Sequence, residues 1–192
     1  MYYFLGVSPK YPNSYWLEYD RSSAIESIRF LMNERMVLSE SDNLRFDIKK
    51  NISLPKLLKY DYLCTDASPI VSKRLADVFK EVAFDDVQLL PVQVYIKGEL
   101  VGTYYLPIFL KVIDCIDWDS TIYDAQYNFF KRIAILPGSL GANSVVKAKG
   151  YHLGDPIVNE AFYSKCLEKG ICGCSFYENP YINPLMIWNA IS

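Results

Sequence analysis

The sequence predicts an α+β fold, a largely antiparallel sheet with a few short amphipathic helices laid on it. Three observations carry this reading. Two long apolar, β-branched and aromatic runs flank Lys97-Gly98-Glu99, the pattern of a β-hairpin. Ser72 precedes Leu75, Val78, Phe79 and Val82, which recur at i, i+3, i+4 and i+7 and so share one helical face. Tyr, Phe and Trp make up 15% of the chain, with 16 Tyr, a composition suited to sheets and contact surfaces. At 192 residues the chain is long enough for one domain with a substantial core, and residues 1–192 are read as a single domain.

Each element follows in order. Residues 1–7 are apolar and aromatic and stop at Ser8-Pro9, so they read as a first strand rather than a secretory segment. Residues 14–19 alternate after Pro12-Asn13 and read as a second strand. Between 22 and 36, the spacing of Ile25, Ile28, Leu31 and Met32 predicts a short helix capped by Ser22 or Ser23. Leu44, Phe46 and Ile48 alternate in a basic stretch (Arg45, Lys49, Lys50) and read as an exposed edge strand followed by a loop, since edge lysines discourage strand addition. Ser72 caps the clearest helix.

In the hairpin, Leu90, Val92, Val94 and Ile96 share one face of the first arm, and Leu106, Ile108, Leu110 and Val112 one face of the second. Pro91 and Pro107 each remove a ladder donor, which places them at a bulge or on an open edge. Pro69-Ile70-Val71-Ser72 is echoed by Pro156-Ile157-Val158-Asn159, with Gly170 at the second helix's exit. This pattern predicts a short internal strand-helix-strand duplication within the domain.

Composition excludes some functions. With 20 Lys+Arg against 22 Asp+Glu, the formal charge of -2 removes the electrostatic case for nucleic acid or an anionic membrane. No apolar run approaches the ~18 residues of a membrane span. Five scattered cysteines form no disulfide framework and fit a reducing, cytoplasmic setting.

The residues also lack a convergent catalytic set. His152, the lone histidine, sits between Gly150 and Gly154, and Cys64, Cys166, Cys172 and Cys174 are formal nucleophiles for it. None of them stands in a nucleophile-elbow or thiol-protease signature, so no catalytic residue is assigned. Cys172-Gly173-Cys174 has no second cysteine pair to complete a zinc site. Cys174 reads as a small buried hydrophobe and Cys172 as a turn residue. Leu136-Pro137-Gly138-Ser139-Leu140-Gly141-Ala142-Asn143 lacks the ending of a phosphate loop, and reads as a connection between strands that is free to touch a partner. No metal or cofactor is expected.

One surface stands out. Asp114, Asp117, Asp119 and Asp124 fall close together without a lysine or arginine between them, and Trp118 and Tyr123 lie among them. A solvated loop with capping aspartates is the plainest reading. A contact surface for a basic partner comes next, and a cation site last, because the glycine and closing glutamate of an EF-hand loop are missing.

The segments Asp61-Tyr62-Leu63, Pro69-Ile70-Val71-Ser72-Lys73-Arg74-Leu75 and Val87-Gln88-Leu89-Leu90-Pro91-Val92 together resemble a bacterial family. Val146-Lys147-Ala148-Lys149-Gly150-Tyr151, Ile157-Val158 and Gly170-Ile171-Cys172-Gly173 complete the pattern. The family is the eleventh immunity-protein family of polymorphic toxin systems, formerly a domain of unknown function. The resemblance is best over 60–177, and its motifs are structural rather than catalytic. It implies a cytoplasmic antidote that binds and blocks a cognate toxin delivered by neighbouring cells. A basic, nuclease-like toxin domain would suit the acidic surface. The alternatives are a small Cys172- or His152-dependent enzyme that reverses toxin damage and a non-catalytic adaptor.

Overall fold

Strands whose successive side chains are buried on opposite faces set the architecture. The computed structural model describes residues 1–22, 44–124, 126, 129–151 and 155–178. In chain order the first strands are β1 (Tyr2–Val7), β2 (Glu18–Tyr19), β3 (Arg45–Ile48), β4 (Tyr62–Leu63), β5 (Ile70–Val71), β6 (Val87–Ile96) and β7 (Glu99–Phe109). They continue as β8 (Val112–Ile113), β9 (Ile122–Asp124), β10 (Phe129–Arg132), β11 (Val145–Ala148), β12 (Ile157–Asn159) and β13 (Cys174–Tyr177). The helices are α1 (Leu54–Leu57), α2 (Lys73–Val82) and α3 (Glu160–Glu168).

The strands form a five-stranded sheet in the order β13-β1-β12-β11-β8 and a six-stranded sheet in the order β2-β3-β6-β7-β5-β4. A separate ribbon joins β9 and β10. Pairing is antiparallel except for β8 with β11 and β3 with β6. The predicted α+β class and largely antiparallel pairing are both present.

Two cores cover the five-stranded sheet, one on each face. Leu5, Val145 and Val158 pack with Leu75, Phe79 and Phe162 beneath α2 and α3. Their neighbours Phe4, Val146 and Ile157 turn the other way onto Cys115, Ile116, Ile133 and Ile135. This is why β11 is buried at every position and reads as a continuous run rather than an alternation. A third core, including Phe46, Ile48, Leu90, Val92 and Leu106, lies against the six-stranded sheet. α2 leans on β5–β7 and α3 on β12 and β1, and the helices meet through Phe79 and Phe162, whose ring centroids are 4.8 Å apart.

The α2 helix forms as the sequence predicts, with Ser72 Oγ accepting from Leu75 N at 3.3 Å. The hairpin is also present; Lys97 and Gly98 both take positive φ (51° and 84°), the geometry of a tight turn that follows the strand twist. α3 ends as predicted at Gly170, with φ of 60°. Gly170 N donates to Leu167 O and Ile171 N to Cys166 O, which closes the last turn.

Other expectations change. Residues 13–15 form a 3-10 turn, so the second strand shrinks to Glu18–Tyr19. The strand at Arg45–Ile48 lies between β2 and β6 rather than on an edge, because Phe46 and Ile48 are buried core residues. The stretch after it includes the short helix α1. β7 stops at Phe109, which leaves Leu110 exposed and Val112 in β8, so the second arm's buried face is shorter than its pattern. The ladder slips at Val94/Tyr95, away from both prolines. Pro91 lies beyond the β3 pairing that begins at Gln93, on an open edge. The two strand–cap–helix runs are locally alike, but β5 belongs to the six-stranded sheet and β12 to the five-stranded one. The helix predicted within 22–36 falls almost wholly outside the described residues.

Asp61 joins these layers. Its side chain is 3% exposed. Oδ1 accepts from Ser72 Oγ at 2.6 Å, and Oδ2 accepts from Cys172 N at 3.0 Å and from Arg74 Nη1 at 3.2 Å. Arg74 also donates to the carbonyls of Lys169 and Gly170 at the end of α3. Removing the carboxylate strands a backbone donor and a hydroxyl, so Asp61→Ala is expected to destabilise by about 3 kcal/mol. Arg74 is 56% exposed, and Arg74→Ala should cost about 1 kcal/mol. At a urea slope of roughly 2 kcal/mol/M, these losses are read as midpoint shifts of about 1.5 M and 0.5 M.

Candidate partner-binding surface

The surface is built outward from a buried step in the chain. Cys115 and Ile116 are buried, and Ile116 bridges to Ile135 while Asp117 N donates to Ala134 O at 2.9 Å. The chain between these anchors leaves the core and forms the β9–β10 ribbon. Asp117 Oδ1 accepts from the backbone N of Asp119 (3.2 Å) and Ser120 (3.3 Å), an aspartate turn that presents Trp118 outward. In the ribbon Phe130 lies opposite Tyr123, and a register shift follows before Arg132.

These contacts gather four aromatic rings. Phe130 lies 4.9 Å from Tyr123 and 6.0 Å from Trp118, centroid to centroid. It also meets Tyr151 edge-on at 5.4 Å, and Tyr151 meets Phe4 of the core edge-on at 6.4 Å. Trp118 is 53% exposed and Tyr123 46% exposed. With Phe130 and Gly150 they line an open concavity of about 280 Å³. Gly150 has φ of +88°, and a Cβ there would lie 3.2 Å from the Trp118 ring. Glycine therefore satisfies both the turn and the close approach.

Of the residues singled out from sequence, the fold brings Trp118 and Tyr123 together. Asp117 and Asp119 flank Trp118, the first in the turn and the second exposed. Asp124 forms an ion pair with Lys131 at 2.6 Å. Asp114 lies before the buried Cys115-Ile116 step and does not line the concavity. Sequence reasoning missed Phe130, Gly150 and Tyr151, which come from outside the acidic segment. The only local signal was the Phe129-Phe130 pair followed by two basic residues. The 136–143 connection is anchored rather than loose: Leu140 is buried, and Asp86 accepts from Ser144 N and Val145 N directly after it.

The cysteines are placed for packing. Burial pushes the Cys64 and Cys174 thiols up to about 12 and Cys115 to about 11, and raises Cys166 as well. Cys172 is exposed. Gly173 has φ of +93°, and a Cβ on it would come within 2.6 Å of the Tyr62 carbonyl, so the Cys-Gly-Cys spacing serves a close backbone crossing. His152 lies outside the described residues. Among the described residues no group of three or more His, Cys, Asp or Glu is disposed to hold a metal.

A second polar concavity of about 450 Å³ lies at Glu18, Arg21, Lys49 and Asp66. Arg21 pairs with Asp66 at 3.1 Å and Lys49 with Glu18, while Asp20 and Asp47, which also line it, pair with Arg45 (3.8 and 2.8 Å).

Inside the molecule, Lys147 is buried with its Nζ 5.8 Å from the centre of the Phe109 ring. Burial lowers its ammonium to about 8. Asp155, whose carboxylate leans against Gly6 of β1, is raised to about 6 by burial, and the Lys147 charge offsets this only in part.

The fold and surface thus define an α+β domain with an exposed aromatic and acidic ribbon carried on a doubly covered sheet. Residues 12–179 match the model of the Immunity protein family (Imm11), and the chain belongs to that family. The match begins well before residue 60, where the sequence resemblance was strongest. A search of curated proteins finds no match.

Two measurements check this chemistry. At neutral pH a thiol reagent should label Cys172 rapidly and the other four cysteines only after denaturation, read by mass spectrometry as one adduct and then five. Asp155 binds its proton more tightly folded than unfolded, so its contribution is full below pH 4 and is lost as pH rises to about 6. Asp155→Asn lacks this loss. Its stability relative to the wild type should therefore rise by roughly 1–3 kcal/mol between pH 4 and pH 6.5, read from urea midpoints.

Proposed function

We propose that this protein neutralises a cognate bacterial toxin by binding it directly, with no catalytic step of its own. Membership of the immunity family carries this reading. The protein would act in the cytoplasm of the cell that makes it, within a polymorphic toxin system of contact-dependent competition. The ribbon supports the choice of surface: exposed aromatic rings beside carboxylates are the composition of an interface hot spot for a basic partner. A nuclease-like toxin domain, basic where it grips its substrate, fits that charge. Neutralisation would follow from covering the toxin's substrate cleft or from disturbing its fold. Among the described residues no helix is long and apolar enough to cross a membrane, and the near-neutral charge argues against nucleic acid as the partner.

Co-expression with the toxin encoded beside it tests the proposal. The pair should co-purify, and the protein should restore growth. Trp118→Ala or Asp117→Lys should weaken the complex by about 10- to 100-fold in titration calorimetry. Cys172→Ala and His152→Ala should leave both binding and rescue intact. Loss of rescue in either of these, with the complex still formed, would instead identify an enzyme that repairs toxin damage.

A further inference from the structure

The geometry points to the notch between Trp118, Tyr123 and Phe130 as a socket for one arginine side chain of the partner, its guanidinium held against the rings and drawn in by Asp117 and Asp119. The inference rests on the proposed binding function for the identity of the partner, but the socket's chemistry is a property of this chain.

The rings provide the seat. Phe130 touches both other rings and is tied to the core through edge-on contacts with Tyr151 and, through it, Phe4. Trp118 and Tyr123 form tilted walls at 43° and 53° to Phe130, and each is about half exposed. Aromatic faces arranged around a hollow attract a cation. The volume of about 280 Å³ falls at the lower margin of small-molecule sites, roughly 300–1,000 Å³, and suits a single side chain better than a whole ligand. Gly150 keeps the hollow open, since any Cβ there would press on the Trp118 ring.

Charge chooses the occupant. Asp117 and Asp119 stand on either side of Trp118, and neither forms an ion pair among the described residues. Asp117 uses Oδ1 for its turn, which leaves Oδ2 for a donor from outside. Of the ribbon's two cations, Lys131 is matched to Asp124, and no ion pair joins Arg132 to Asp117 or Asp119 among the described residues. The hollow itself is lined by three rings and Gly150, so an apolar occupant would make no use of the carboxylates beside Trp118, whereas a cation is attracted by both. A guanidinium lies flat on a ring and still presents donors at its edge, which an ammonium cannot do.

The test uses the full chain and a small probe. Nα-acetylarginine amide is titrated while the Trp118 indole N–H is followed by NMR, with neutral Nα-acetylcitrulline amide as its near-isostere. The arginine probe should move the Trp118 signal and approach saturation with a Kd on the order of 10 mM, while the citrulline probe gives less than about a third of that shift. Tyr123→Ala and Asp117→Asn keep the reporter and should each weaken the response at least about threefold, with urea midpoints confirming that both variants fold. Equal responses to the two probes, or none at Trp118, would overturn the socket. The toxin complex separates this outcome from the proposed function. A toxin that binds wild type and Trp118→Ala equally overturns the socket and leaves neutralisation standing. A toxin that binds neither protein, beside a selective arginine response, overturns the proposed partner and leaves the socket standing.

Discussion

Asp61 is a charged group taken almost wholly out of water, and the folded chain is arranged around keeping it satisfied. Burying a carboxylate is tolerable only when fixed donors replace its hydration. Here they come from the N-cap side chain of α2, from an arginine two residues on, and from the backbone beyond α3. Cys172 lies 111 residues from Asp61 in sequence while Ser72 and Arg74 are close to it, so the bonds form together only when both helices and both sheets are in place. The backbone reinforces them: Ser72 N donates to Asp61 O, and Asp61 N to Cys172 O. Because Ser72 both caps α2 and donates to Asp61, the helix start and the junction are fixed by one hydroxyl.

Asp86 plays a matching part on the far side of α2. It is buried, its carboxylate accepts from Ser144 N and Val145 N, and its carbonyl accepts from Leu110 N. The end of the hairpin and the start of β11 are thereby held at one point. With the two sheets joined at Asp61 and Asp86, the segment after β8 can leave the core without loosening it. The ribbon pairs within itself and reaches the core through the chain of Phe130, Tyr151 and Phe4. Substitutions at Trp118 or Tyr123 therefore alter the surface while leaving the covered sheet intact.

How far this could be read in the sequence depended on whether the deciding contact was local. The α2 cap and its stripe are local, and so is the Gly170 exit of α3; all three are where the spacing puts them. The position of Arg45–Ile48 is not local. Lysines after Ile48 looked like edge protection, but the core needs Phe46 and Ile48, and two residues of β2 close the outer side. The same division runs through the candidate surface. Trp118, Tyr123 and the aspartates share one segment and were visible together. Phe130 arrives by ribbon pairing and Gly150 by the turn after β11, neither of which leaves a mark near residue 118.

The Cys172-Gly173-Cys174 spacing shows why a motif needs its geometry before its chemistry. Two thiols one residue apart invite a redox or metal reading. The glycine between them is required because the backbone passes over the Tyr62 carbonyl at a distance that admits no side chain. One flanking cysteine is then turned inward, where burial raises its thiol to about 12, and the other outward, where its backbone N–H serves Asp61. A thiol that stays protonated at neutral pH is a poor nucleophile and a poor metal ligand. The motif belongs to the junction that holds the sheets together: its glycine allows the crossing, and the Cys172 N–H completes the Asp61 cluster.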